Sequence, residues 1–362
     1  MKQAVKNEIL RKSDELLNYI DNLHLAPSTT FSEEEVSAII AKEEGETKKN
    51  YERAIAKFQE TNHSMTSPQI KRFVVYWGYP GAGKSFMSKK LIERFGREED
   101  CLPFNIIDKD QHRDLFPNLF NHLKNGHLDE CEKFAGVTID YVRQILDLSL
   151  QSGERSILSI GSMGAGSEFK ENAAKAIEYG YKPCAVYMAV NPDIAYLSSV
   201  YRSASLYDQI IFQNKELYPR LVSNEYFNRV VDMLPNMIER IDTFQQEHSE
   251  NVDLMVLNRN NEVLYDSRKP HTLNVKEIIA EEESRPLNDA ETININKQLT
   301  QIRQSLKYRH ENQVYAPYAN EIEMAKQAIH RIRKLVAAQP IQSKARGAFD
   351  FNIYGKASGF ER

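Results

Sequence analysis

Eight consecutive residues, GYPGAGKS from Gly78 to Ser85, have the glycine, lysine and serine spacing of a phosphate-binding loop. An apolar run at 73–77 precedes them and a helical pattern follows, which is the strand, loop and helix context that this motif requires. Backbone N–H groups of such a loop point at phosphate oxygens, and the helix N-terminus adds partial positive charge. The alternative is a strand-to-helix turn that binds no ligand. We predict a nucleotide-phosphate site formed by Gly78, Gly81, Ala82, Gly83, Lys84, Ser85 and Phe86.

Two side chains of the loop and two acids beyond it could act on the phosphates. Lys84 is expected to reach the β- and γ-phosphates and the Ser85 hydroxyl to bind Mg²⁺. The next apolar run, 104–107, ends in Asp108 and then Asp110, and parallel strands open at the same sheet edge. One acid could orient Mg²⁺ through water while the other accepts a proton from an attacking hydroxyl, and a solvated acidic turn is the alternative.

The third predicted strand, 156–160, is followed by Gly161 and Ser162 and lacks the acid pair of a motor ATPase. Phosphoryl transfer to a small acceptor instead needs additional cations around the transferred group. Arg202 and Arg220 are candidates for that role, although an exposed surface charge is the usual state of a lone arginine.

Short β-branched runs alternate with longer helical patterns between residues 72 and 265, which predicts a P-loop NTPase-type α/β fold with a mainly parallel sheet. The predicted strands are 73–77, 104–107, 156–160, 184–190, 253–257 and 262–265. The predicted helices are 84–95, 131–151, 167–179, 193–205 and 224–247, with two more at 288–310 and 318–338.

The flanks differ from this centre. Residues 1–65 predict a helical hairpin whose second helix opens with a Ser32 and Glu35 capping box. Its narrow apolar stripes predict docking on the next domain or on a partner. The predicted organisation is a hairpin at 1–65, a kinase-like domain at 66–285, helices at 286–340 and a flexible basic tail at 341–362. The N-terminal segment has a net charge of -3, and residues 286–362 carry +5.

Composition excludes several classes of protein. The 362 residues are 41% hydrophobic and 27% charged, with a formal net charge of -4, as in a folded soluble protein. No apolar run is long enough for a membrane span, and charges interrupt the first thirty residues, which argues against a signal peptide. Three widely separated cysteines fit a cytoplasmic protein, whether it acts in its own cell or is delivered to another. Neither a membrane nor nucleic acid is expected as a partner.

Six segments, in order and spacing, resemble the zeta toxins, P-loop kinases of bacterial toxin-antitoxin systems. The segments are GYPGAGKS, IIDKDQHRDLFP, YMAVNPDIAYLSSVYR, YPRLVSNEYFNRVV, MLPNMIERI and VLNRNNEVLYDS, within about residues 70–270. That family transfers phosphate from ATP or GTP to the sugar 3′-hydroxyl of UDP-N-acetylglucosamine. The resemblance implies a P-loop kinase that uses Mg²⁺ and a small nucleotide-type acceptor; a kinase of another acceptor, such as a dinucleotide, or a nucleotide-binding effector with little catalysis are the alternatives.

The resemblance also implies roles for single residues. Lys84 matches the phosphate-binding lysine, and Asp110 matches the catalytic base, which leaves Asp108 for the metal. Arg202 and Arg220 match the two arginines that stabilise the transferred phosphate. On the acceptor side, Gln144 falls at a family glutamate and Ser162 at a family threonine, beside Asp110.

Three departures from the family pattern lie on the acceptor side. One acid of the family has become Ile160, the glutamate has become Gln144 and an arginine has become Gly164, which implies a changed acceptor or reduced activity. Because zeta toxins are inhibited by a small helical antitoxin, the resemblance also implies either such a partner or restraint in cis, with residues 1–65 docked near the loop. A structural brace for the sheet is the alternative role of these residues.

Overall fold

The computed structural model describes residues 1–23, 25, 32, 34–35, 38, 41, 70–108, 137–161, 166, 168–213, 222–314 and 319–341, with the backbone alone at 137–141. Most of the second helix of the predicted hairpin, residues 61–69 and nearly all of the tail at 341–362 lie outside these residues. The capping box that was predicted for the second helix is present, because the Glu35 N–H donates to the Ser32 hydroxyl and the Ser32 N–H donates to the Glu35 carboxylate.

A six-stranded sheet forms the centre of the described structure. The strands are β1 (Arg72–Trp77), β2 (Phe104–Asp108), β3 (Ser156–Ile160), β4 (Lys182–Met188), β5 (Asp253–Leu257) and β6 (Val263–Asp266), in the spatial order β2-β3-β1-β4-β5-β6. The first five are parallel and β6 is antiparallel to β5. The prediction of a mainly parallel α/β sheet is therefore confirmed.

Helices cover this sheet and form both flanks. They are α1 (Gln3–Asp21), α2 (Lys84–Glu99), α3 (Val137–Ser152), α4 (Phe169–Glu178), α5 (Pro192–Gln213), α6 (Asn224–Glu247), α7 (Val275–Ser284), α8 (Asp289–Glu311) and α9 (Ala319–Ala338). α5 runs eight residues past its predicted end at 205, and α7 was not predicted. In the described part of the chain no helix is long and apolar enough to cross a membrane.

The strand before the loop lies at the centre of the sheet. All six residues of β1 are buried, and β3 and β4 pair with it on either side. We expected β2, the next strand in the chain, to lie close to β1, but β3 lies between them. The loop therefore sits in the middle of the carboxyl edge, where residues from several parallel strands can reach a bound ligand.

The N-terminal helix contacts the basic C-terminal helices. α1 packs its buried Ile9, Leu16 and Ile20 against α8 and α9, and these two helices pack on α5. Three ion pairs surround this contact, namely Glu15 with Arg303 at 2.9 Å, Asp21 with Lys326 at 2.6 Å and Asp14 with Arg333 at 2.9 Å. The surface that covers the apolar stripe of α1 is thus formed by the C-terminal helices α8 and α9.

Candidate active site

Glycine is required in the loop because the loop packs tightly on the first turns of α5. Gly81 has a φ of +79°, which L side chains rarely adopt. A Cβ atom on Gly81 would lie 2.1 Å from the carbonyl oxygen of Ala195 and 2.7 Å from the N atom of Ser199. Both conformation and space thus restrict this position to glycine, and α5 fixes the position of the loop.

The opposite side of the loop is open. Gly83 precedes α2 with a φ of +104°, and a Cβ atom placed there would meet nothing within 4 Å. Lys84 is largely buried, and its Nζ donates to the carbonyl oxygens of Gly78 at 3.0 Å and of Tyr79 at 2.8 Å. The ammonium group therefore lies over the loop, beside the N-terminus of α2, where it can meet phosphate oxygens.

An alcohol and a carboxylate meet beside the loop. The Ser85 hydroxyl lies 3.0 Å from Oδ2 of Asp108, which is the last residue of β2 and is 4% exposed. Both offer hard oxygen atoms, the kind of ligand that Mg²⁺ prefers, and Mg²⁺ in phosphate sites needs only one or two protein groups besides the nucleotide. The pair therefore fits a nucleotide-bound Mg²⁺. Elsewhere in the described residues no cluster of three His, Cys, Asp or Glu side chains could hold a metal.

An arginine that is not among the predicted site residues supports the loop. Arg259 follows β5 and donates to the carbonyl oxygens of Gly81 at 2.7 Å and Ala82 at 3.0 Å, and to the Ser198 hydroxyl at 3.0 Å. Burial lowers the pKa of Arg259 to about 10, at which the group is still a cation at neutral pH. The sequence signal that could have identified Arg259 was its position directly after a predicted parallel strand, because such a residue lies at the same sheet edge as the loop.

The remaining predicted site residues are only partly visible. Asp110, Ser162, Gly164 and Arg220 lie outside the described residues. Arg202 lies in α5, half-buried and one turn after Ser199, which contacts the loop. Gln144 is exposed on α3, and Phe86, at the start of α2, is 83% exposed. Ile160, at the end of β3, is buried and pairs in register with Asp108 on one side and Tyr76 on the other.

The mainly parallel sheet, the glycine loop and the Ser85 and Asp108 pair define a P-loop protein of the kinase-like, nucleotide-binding class. The Zeta toxin family model matches residues 54–270, which is more than half of the chain. The chain belongs to the zeta toxin family, whose members are kinase-like phosphotransferases.

The chain is similar to several solved structures. One, from the PezAT chromosomal toxin-antitoxin system of the human pathogen Streptococcus pneumoniae, is 19% identical, covers 71% of this chain and 96% of its own, and has a TM-score of 0.53. AvrRxo1-ORF1:AvrRxo1-ORF2 with sulphate ions and the same pair with ATP are each 11% identical over 85% of this chain and 97% or 96% of theirs, with TM-scores of 0.43 and 0.41. No curated protein sequence matches the chain.

Proposed function

We propose that this protein transfers the γ-phosphate of ATP or GTP to a hydroxyl group of a small nucleotide-type acceptor, with UDP-N-acetylglucosamine as the first acceptor to test. The proposal rests on the 3.0 Å contact of Ser85 with Asp108 beside the phosphate-binding loop. The ammonium group of Lys84 lies over the same loop. Membership of the zeta toxin family supports the same reaction.

Each residue near the loop has a distinct task in this reaction. Backbone N–H groups of the loop and Lys84 bind the phosphates, and Ser85 and Asp108 are the residues that would hold Mg²⁺. Bound there, Mg²⁺ would neutralise charge on the phosphate oxygens. Lys84 must exchange its contacts with the carbonyl oxygens of Gly78 and Tyr79 for phosphate oxygens when the nucleotide binds.

The chemistry at the acceptor is assigned to residues on other elements. Asp110 takes the proton of the acceptor hydroxyl, and Arg202 and Arg220 offset the charge of the phosphoryl group during in-line transfer. Gln144 and Ser162 contact the acceptor. The position of Arg202, on the helix that supports the loop, favours its part in this assignment.

Ile160 favours a second candidate acceptor. Its buried apolar side chain ends the strand between the loop and Asp108, where the family pattern has an acid that contacts the acceptor. An apolar side chain cannot accept a hydrogen bond from a sugar hydroxyl. A different nucleotide-type acceptor, such as a dinucleotide, is therefore the second candidate.

One experiment tests the reaction and the acceptor together. The purified protein is incubated with Mg²⁺ and ATP labelled at the γ-phosphate, with UDP-N-acetylglucosamine, a dinucleotide or a broad metabolite extract, and products are identified by mass spectrometry. We expect one new phosphorylated nucleotide.

Asp110→Ala should abolish the product while ATP binding is retained, and Lys84→Ala should impair both. Tight ATP binding without any product would support a nucleotide-binding effector with little catalysis and contradict the kinase.

We further propose a helical partner or an internal restraint for this active site. α1 docks on α8 and α9, which themselves pack on α5, the helix behind the loop, so packed helices connect α1 to the site. Deleting residues 1–65 and assaying phosphoryl transfer tests the internal restraint. A rise in activity supports it, whereas unchanged activity contradicts it and leaves a separate antitoxin as the expected inhibitor.

A further inference from the structure

A carboxylate from the C-terminal part of the chain lies beneath the phosphate-binding loop. Glu283, near the end of α7, accepts hydrogen bonds from two tyrosine hydroxyl groups. Tyr79, the second residue of the loop motif, donates to its Oε2 at 3.2 Å, and Tyr187 of β4 donates to its Oε1 at 2.6 Å. Because both tyrosines are buried, these hydroxyl groups need partners, and Glu283 supplies one to each.

The backbone of Glu283 makes a further contact on the other side of the loop. Its carbonyl oxygen accepts from Nδ2 of Asn191 at 2.8 Å. Oδ1 of the same Asn191 accepts from the N–H groups of Asp193 and Ile194, which begin α5. Glu283 is thus tied both to the loop and to the start of the helix on which Gly81 rests.

A second C-terminal side chain reaches the loop by another path. Gln298 of α8 is buried, and its Nε2 donates to the Ser198 hydroxyl at 3.0 Å. Ser198 also accepts from Arg259, which binds the carbonyl oxygens of Gly81 and Ala82. Two independent chains of hydrogen bonds therefore run from residues 275–311 to the loop.

We infer that α7 and α8, which lie outside the family match at 54–270, complete the nucleotide site, with Glu283 and Gln298 as positioning residues that fix the conformation of the phosphate-binding loop. The inference rests on the proposed nucleotide binding. Neither side chain contacts phosphate in this assignment. Each acts through a residue of the loop or through Arg259, and a loop fixed before the ligand arrives binds more tightly because less freedom is lost.

The charge state of Glu283 should matter for this task. Burial raises the pKa of Glu283 to about 7, with a smaller contribution from Glu282, whereas the hydrogen bonds from Tyr187 and Tyr79 act in the opposite direction. The carboxylate accepts from both hydroxyl groups, but the protonated form has one oxygen that must donate. Nucleotide affinity should therefore fall more steeply in the wild type than in Glu283→Gln as the pH drops below about 7.

The test compares full-length variants by calorimetric titration with Mg-ATP. Glu283→Gln, Tyr79→Phe and Gln298→Ala should each weaken ATP binding by about tenfold, and Glu281→Gln, an exposed change on the same helix, should not. The double variant of Tyr79→Phe with Glu283→Gln should bind ATP no more weakly than Glu283→Gln alone, because both substitutions act on the same contact between Tyr79 and Glu283. Folded variants that bind ATP like the wild type, or effects that add in the double variant, would overturn the inference.

Hydrogen exchange separates this inference from the proposed function. In the unliganded protein, amides of residues 78–85 should exchange faster in Glu283→Gln and Gln298→Ala than in the wild type or in Glu281→Gln. Equal exchange in all four proteins contradicts the positioning role, whatever the loop binds. If the two variants exchange faster but the wild type binds no nucleotide, the positioning contact is supported and the nucleotide site is rejected. If Glu283→Gln does not fold, Tyr79→Phe provides the same comparison.

Discussion

The Ser85 hydroxyl and the Asp108 carboxylate lie 3.0 Å apart, although the strand that leads to Ser85 and the strand that ends in Asp108 are not neighbours in the sheet. Asp108 ends β2, and β3 separates that strand from β1, which leads into the loop. Ile160 occupies the register position between them and contributes no oxygen ligand. Among the described residues, Asp108 is therefore the carboxylate that can serve a metal beside Ser85.

Removing the charge of Asp108 should weaken the response to Mg²⁺. Asp108→Asn keeps the shape of the side chain but replaces one carboxylate oxygen by an amide, so Mg²⁺-dependent activity should fall by about 10- to 100-fold. Binding of ATP without Mg²⁺ should change little. Phosphoryl-transfer assays with Mg²⁺ measure the activity, and titration with ATP in the absence of Mg²⁺ measures the binding. Asp147→Asn, on α3, is the matched control, and an equal effect of the two substitutions would contradict the metal assignment.

Gly81→Ala should damage the loop severely. The new Cβ would collide with the carbonyl oxygen of Ala195 in a backbone conformation that alanine avoids, at a cost of about 2–4 kcal/mol of stability, and ATP binding should be lost. Gly96→Ala in α2 is the contrast, because nothing lies within 4 Å and a helix favours alanine by about 0.5–1 kcal/mol. Urea unfolding and ATP titration check both variants. A Gly81→Ala protein with wild-type stability would contradict the packing described.

Arg259→Lys should loosen the loop although the charge is kept. A lysine ammonium cannot reproduce the fork that reaches two carbonyl oxygens and the Ser198 hydroxyl, so stability should fall by about 1–3 kcal/mol. ATP affinity should fall with it. The exposed Arg240→Lys on α6 serves as the control in the same urea and ATP titrations. Identical curves for the two variants would show that the fork does not hold the loop.

Apolar burial should hold α1 in place more strongly than its ion pairs do. Ile9 is fully buried, so Ile9→Ala should cost about 2–4 kcal/mol of docking free energy, whereas Asp14→Asn, at a largely exposed ion pair, should cost less than about 1 kcal/mol. Hydrogen exchange of α1 amides reports both changes. A larger effect of Asp14→Asn, or release of α1 by added salt alone, would contradict this ranking.

Stability should depend on pH through Glu283. Burial raises its pKa in the folded state from an ordinary value of 4.5 to about 7. The folded protein therefore binds the proton more tightly than the unfolded chain, and the stability this provides is present below about pH 4.5 and is lost as the pH rises to about 7. The loss is of order 1–3 kcal/mol. Urea unfolding between pH 4.5 and 8 should show this decline in the wild type and not in Glu283→Gln; parallel curves would exclude it.

Largely buried strands were the easiest elements to predict. The runs at 73–77, 156–160 and 253–257 are mainly apolar, and the structure places strands there with bounds that agree within one residue. α6 also matches its prediction at 224–247 despite Pro235 inside it. α7 was missed because only Val275 and Ile279 of its ten residues are buried apolar side chains, although the Asn274 and Glu277 capping box was a readable signal.

The site was predictable only where sequence neighbours form it. The loop residues are contiguous, so one motif identifies Gly78 to Ser85. The support from Arg259, Glu283 and Gln298 comes from elements distant in the chain, and a single sequence does not reveal which buried polar side chains will meet. The docking surface of α1 was likewise not predictable beyond its charge, because an amphipathic helix specifies an apolar face and not the partner that covers it.

The contact of α1 with α8 and α9 joins residues 3–21 to residues 289–338, which are synthesised much later. During translation the apolar stripe of α1 has no native surface until residues 289–338 have left the ribosome, and non-local contacts of this kind slow folding. The growing chain therefore exposes Ile9, Leu16 and Ile20 throughout the interval in which its phosphate-binding loop is first assembled. A chaperone or a cognate helical protein that acts during synthesis would find this stripe uncovered.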